Sequence, residues 1–127
     1  MESKTHLAIS AALVGEVVDI IPGKATARLK TTTEMAADEH GLLHGGFTFG
    51  LADYAAMLAV NDPYVVLGGA EVRFLAAVRC GDELLATAEL DTQNGKKHCV
   101  RCFVESGGNR VFEGTFTCFV LDKPLLS

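Results

Sequence analysis

One acidic side chain stands alone in a long apolar run. From Gly45 to Val60 the chain reads GGFTFGLADYAAMLAV, and Asp53 is its one charged residue. A carboxylate in apolar surroundings costs several kcal/mol unless it is hydrogen-bonded or neutralised. Two readings fit it. Asp53 either pairs with a local donor or lies near a subunit surface, or it is a catalytic carboxylate facing a cleft. Ahead of it, His44-Gly45-Gly46 places two amides without side chains where the apolar run begins. The first N–H groups of a helix have no intrahelical partner, and the helix dipole adds partial positive charge there. Such a start suits the oxygen of a polarised carbonyl or an oxyanion. A plain turn at Gly45-Gly46 and a cap or packing residue at His44 are the structural alternatives.

The spacing carries a further consequence. Gly45 and Asp53 are eight positions apart, or about 12 Å along an α-helix. Attack on a carbonyl needs reacting atoms about 3–3.5 Å apart. One helix therefore cannot easily bring both groups to one carbonyl, whereas a second copy, antiparallel across a two-fold axis, can. A homodimer is the expectation.

The flanking sequence must position these groups. The run from Gly45 to Val60 lacks a polar stripe, so it predicts a helix buried all round, ended by Asn61-Asp62-Pro63. Leu13 to Ile21 predicts a strand, Pro22-Gly23 a turn, and Lys24 to Thr33 a second strand with Ala25, Ala27 and Leu29 inward. After the helix, four alternating segments follow, with Ala70, Val72 and Phe74, then Leu84 to Leu90, Val100 to Val104 and Phe112 to Val120 supplying the apolar positions. Turn signals at Gly81-Asp82, Asn94-Gly95 and Gly107-Gly108 predict hairpin succession. The fold class is α+β: a curved antiparallel six-stranded sheet wrapped around one long buried helix, with open edges that invite pairing between copies. Nothing divides the chain, so residues 1–127 form one domain.

These residues resemble a known family. His44-Gly45-Gly46 followed after six residues by Asp53 is similar to the motif of hotdog-fold acyl-CoA thioesterases of the phenylacetyl-CoA, or PaaI-like, type. Asp38 and Gly41 match the preceding loop, and Val72 to Leu90 resembles the family's strand pair joined at a Gly-Asp turn. The resemblance spans about Leu13 to Val120. It implies a hotdog fold and hydrolysis of a thioester to free acid and coenzyme A, the coenzyme being part of the substrate. It implies that the Gly45 amide meets the carbonyl oxygen, with Gly46 beside it. Asp53 would be nucleophile or general base, and His44 would shape the helix start. Asp38, Leu67 and Gly68 would line the substrate site. It also implies a dimer or a dimer of dimers with the site between subunits. Three departures stand out: Asp38 where many members carry Asn, Leu67 where some carry a hydroxyl, and Ala76 or Ala77 where Pro is frequent.

Composition narrows the alternatives. With 16 acidic and 11 basic residues, a net charge of −5 and 49% hydrophobic residues, the chain suits a packed core and not a nucleic-acid coat. No stretch is long and apolar enough for a membrane span, and no secretory pattern opens the chain, so a cytoplasmic location with reduced thiols is expected. Cys99 and Cys102 form a C-x-x-C, but no second pair or His pair accompanies it. Residues three apart on a strand face opposite ways, so these cysteines read as small core hydrophobes and no metal is expected. Lys96, Lys97, Arg73, Arg101 and Arg110 are the unassigned cations available for coenzyme phosphates. The competing function is a non-catalytic protein that binds an acyl thioester in the same cleft, in a regulatory role.

Overall fold

The computed structural model describes residues 1–126. Strands β1 (Glu16–Ile21) and β2 (Lys24–Lys30) are followed by helix α1 (Gly45–Val60) and strands β3 (Val65–Phe74), β4 (Glu83–Asn94), β5 (Lys97–Ser106) and β6 (Asn109–Val120). All pairings are antiparallel, in the order β1-β2-β4-β5-β6-β3. The sheet wraps one helix, as the residue pattern predicts.

Small side chains set that packing. Ala25 and Ala27 of β2 stand opposite Ala88 and Ala86 of β4, and α1 turns Ala52, Ala55, Ala56 and Ala59 inward. Without long side chains between them, helix and sheet lie close, and α1 packs chiefly over β4, β2 and β5. Phe112, Phe116, Leu51, Met57 and Leu58 fill the remaining volume, all fully buried. The helix stops where Asn61 adopts a left-handed conformation, φ 52°, and donates its amide to the Met57 carbonyl at 2.8 Å.

Three expectations need correction. β1 starts at Glu16, not Leu13, because the chain turns at Ser10–Val14 and Gly15 takes φ +146°. β2 ends at Lys30, and Thr33–Met35 forms a single 3-10 turn. Most consequentially, β3 does not pair with β4; it pairs with β6, on the far edge of the sheet. The Gly81-Asp82 turn is pinned to the end of β2 instead. The Thr31 hydroxyl donates to the Asp82 carbonyl at 2.6 Å and accepts the Gly81 amide at 2.9 Å. β4 thus begins beside β2, and β3 takes the open edge that β6 offers. Residues 75–82 cross between them, held by the Leu43 amide donating to the Val78 carbonyl at 2.9 Å and the Cys80 amide to the Gly41 carbonyl at 2.8 Å.

The β3–β6 pairing is crowded at Gly114. A Cβ on Gly114 would lie 2.7 Å from the Glu71 carbonyl oxygen and 2.6 Å from Val72 Cγ1. Backbone must shift to admit it, so Gly114→Ala should cost about 1–3 kcal/mol, read as a lower urea midpoint with an unchanged m-value.

Candidate active site

Asp53 sits midway along α1 with its neighbours on either side, Ala52 and Tyr54, buried. Its Oδ1 is buried and has no hydrogen-bond partner within the described residues of one chain. Burial pushes its pKa from 3.8 up to about 6. Its charge reaches the buried thiols of Cys102 and Cys118, each pushed up to about 12, first by burial and then by Asp53. The pairing with a local donor considered from sequence is not made. A carboxylate so placed is a proton acceptor poised near neutrality.

The helix start is as the motif predicts. His44 is the N-cap residue in extended conformation, φ −65° and ψ 128°, and Gly45 is the first helical residue. The His44 side chain makes no capping hydrogen bond. Its ring folds over the first turn, so that a Cβ on Gly46 would lie 2.9 Å from its Nε2, and it meets Phe47 edge-on at 6.1 Å. The His44 amide donates to the Met35 carbonyl at 2.9 Å, which ties the helix start to the 3-10 turn.

Gly45 opens onto a cleft of about 420 Å³, lined also by Leu42, Leu43, Thr48, Phe74, Leu75 and residues 76–78. Thr48 follows Gly45 by three residues, on the same helix face. The Asp38 carboxylate fixes the loop that forms one wall: its Oδ1 accepts the His40 amide at 2.8 Å and the Leu42 amide at 3.1 Å. Asp38 thus shapes the cleft without lining it.

Leu67 and Gly68 lie toward the other end of β3 from Phe74, and neither lines this cleft. Leu67 stands opposite Cys118, the thiol that the Asp53 charge reaches, so it belongs to the Asp53 end of the molecule. Gly68 is the bulged residue between the paired positions Leu67 and Gly69, and a Cβ there would lie 2.4 Å from the Phe119 ring. Within one chain, the site residues therefore divide into a helix-start group and an Asp53 group.

A second, larger depression of about 530 Å³ opens on the sheet face away from the helix. Arg73, Arg101 and Arg110 line it, but so do Glu71, Glu89 and Glu113. Arg110 also lies 4.1 Å over the Phe103 ring and 3.7 Å from Glu113. Its charges cancel, so it offers no net attraction for a phosphate. Cys102 turns inward, its Sγ 3.7 Å from the Ala52 carbonyl, whereas Cys99 is only half-buried; among the described residues no three His, Cys, Asp or Glu converge as a metal site would require.

The sequence model of the thioesterase superfamily matches residues 40–113, more than half of the chain. The chain belongs to the thioesterase superfamily, and its fold is that of the PaaI-like hotdog proteins. A crystal structure of an uncharacterised protein from Pyrococcus horikoshii, PH1136, is 52% identical, with a TM-score of 0.98 covering 100% of this chain and 98% of that one. A mutant of the phenylacetic acid degradation protein PaaI from Thermus thermophilus is 29% identical, with a TM-score of 0.78 covering 86% of this chain and 95% of that one. Among curated relatives, a methylthioribose-1-phosphate isomerase of Aquifex aeolicus is 49% identical over 96% of this chain. The transcription factor FapR of Caldanaerobacter subterraneus is 27% identical over 97% of it. The chain spans only 27% of that isomerase and 62% of that FapR. Among the described residues, no helix is long and apolar enough to cross a membrane.

The sequence reading missed Phe74 and Thr48 as cleft residues. Thr48 was accessible through its helical spacing from Gly45. Phe74 was hidden by its inward phase on a strand, which reads as core.

Proposed function

We propose that the chain hydrolyses an acyl-CoA thioester, in a homodimer or dimer of dimers whose active site lies between subunits. The observation that carries this is the buried, unpartnered Asp53 oxygen on the same helix whose amide-rich start opens an apolar cleft. The two features are about 12 Å apart along that helix. In an antiparallel pair of helices, Asp53 of one copy faces the Gly45 amide of the other.

The chemistry then follows. The Asp53 carboxylate takes a proton from water, and the resulting hydroxide oxygen bonds to the thioester carbonyl carbon. The carbonyl oxygen becomes an oxyanion held by the Gly45 N–H, with Gly46 beside it. Collapse breaks the carbon–sulfur bond, and the departing thiolate of coenzyme A takes the proton from Asp53. A base with a pKa of about 6 is ionised at neutral pH yet still basic enough to act.

The test is a panel of acyl-CoAs read by thiol release, together with light scattering at assay concentration. The expected mass is twice or four times the 13.5 kDa chain. An active, stable monomer would overturn the shared site.

The second reading is an acyl-thioester binder. Two observations favour it: Asp38 commits its Oδ1 to the loop, and Leu67 brings no hydroxyl toward the Asp53 end. The similarity to a transcription factor points the same way. Retention of acyl-CoA without thiol release would select this reading.

A further inference from the structure

The Gly45 cleft is uniform in chemistry. Its nine lining residues include no ionisable side chain and one hydroxyl, that of Thr48. The largest of them is Phe74, the last residue of β3. Although Phe74 shares the inward face of the sheet with its partner Phe112, β3 is an edge strand, and the residue is 56% exposed. One side of the ring rests edge-on against the buried Phe112, centroids 5.1 Å apart. The other side closes on the helix start: a Cβ on Gly45 would lie 3.0 Å from Phe74 Cε2. Phe112 is in turn packed against Phe49 and Phe116, so the ring has a firm backing.

We infer that Phe74 determines specificity, confining this site to uncharged, apolar acyl groups that are unbranched at the carbon next to the carbonyl. This rests on the reading that the Gly45 amide receives the carbonyl oxygen. With the oxygen there, the first carbon of the acyl chain passes beside the Phe74 ring, and a methyl branch on that carbon must push the ring off its contact with Phe112. Around the ring, Leu42, Leu43, Leu75 and Val78 accept methylenes, whereas a carboxylate laid against them gives up part of its hydration and meets no cation among the lining residues.

The experiment separates binding from turnover. Dethia analogues of acyl-CoA, ketones in which a methylene replaces the thioester sulfur, are titrated into the full chain, and the matching thioesters are assayed for thiol release. The wild type should bind the octanoyl analogue about tenfold or more tightly than the 2-methyloctanoyl analogue, the usual discrimination for one extra methyl in a close pocket. It should bind the octanoyl form about 10²-fold more tightly than the adipoyl form, whose far end is charged. Phe74→Ala should bring the branched and straight analogues to within about threefold of each other while leaving adipoyl excluded. Phe74→Leu, which keeps an apolar side chain against Phe112, should fall between them and guards against a folding defect. Equal binding of branched and straight analogues by the wild type, an unchanged ratio in both variants, adipoyl binding as tight as octanoyl, or no binding of any analogue would each overturn the inference. If the binding ratios hold but no thioester releases thiol, the hydrolase reading fails and the inference stands.

Discussion

Replacing Asp53 by Asn should lower kcat by a factor on the order of 10²–10⁴, the usual range for loss of a positioned base. The change keeps the side chain's shape and removes its charge and basicity. Acyl-CoA binding should survive, because the Gly45 amide and the apolar cleft are untouched. The pH profile carries a second signature. With the Asp53 pKa at about 6, wild-type activity should rise with pH through that value, and the residual activity of the variant should not. A midpoint below 6 would report a donor or helix start contributed by the partner, which stabilises the carboxylate. Stability moves in the opposite sense. The pKa is raised from its ordinary 3.8, so the folded chain holds the proton more tightly than the unfolded one. The contribution is fully present below about pH 4 and is lost as pH rises through about 6. Asp53→Asn has no such loss, and at pH 8 it should be more stable than the wild type by about 1–2 kcal/mol, allowing for the solvent that still reaches the carboxyl. Wild-type rates in Asp53→Asn on every accepted acyl-CoA would remove Asp53 from the chemistry. Binding by both forms with turnover by neither would establish the binder.

The elements were legible because each obeys a local rule. The helix reads from an apolar run between Gly45-Gly46 and Asn61 that only Asp53 interrupts with a charge, and β2 and β4 read from alternation of inward Ala and Leu with mostly polar residues. The hairpins β1–β2, β4–β5 and β5–β6 were legible from their turns, but the place of β3 in the sheet was not. Alternation fixes which face a residue takes but not which neighbour it meets, and the Gly81-Asp82 turn has the same composition whether it closes a hairpin or docks on Thr31. The candidate site divides along the same line. His44, Gly45 and Asp53 announce themselves by residue type and spacing on one helix. The cleft wall does not, because residues 75–78 reach Gly45 only through the crossover from β3 to β4. Phe74 shows the limit most clearly: its inward phase is correct, but its exposure depends on β3 being the edge strand, a property of the whole sheet.

Gly45→Pro should lower kcat by about 10²–10³, the effect of deleting one oxyanion donor, while leaving the fold intact. Proline removes the one atom pair at issue, the backbone N–H, and does so where a helix tolerates it best. Gly45 is the first helical residue, where proline is favoured and where the amide has no intrahelical partner. The preceding residue, His44, already has φ −65° and ψ 128°, the extended region that a following proline requires. A proline compatible with the native backbone also restricts the unfolded chain, so stability should hold or rise slightly. The steric demand is the Phe74 ring, 3.0 Å from the new Cβ at its Cε2. That atom is the far end of a half-exposed side chain and can move by a few tenths of an ångström. Gly45→Ala supplies the control, since it places the same Cβ against the same ring and keeps the amide. The expected result is an alanine variant within about threefold of wild-type kcat and a proline variant far below both, with thermal melts of all three nearly superimposed. Equal rates for the two variants, both near wild type, would assign the oxyanion to another donor. An equal loss in both would trace the defect to Phe74 and the cleft wall, and not to the missing amide.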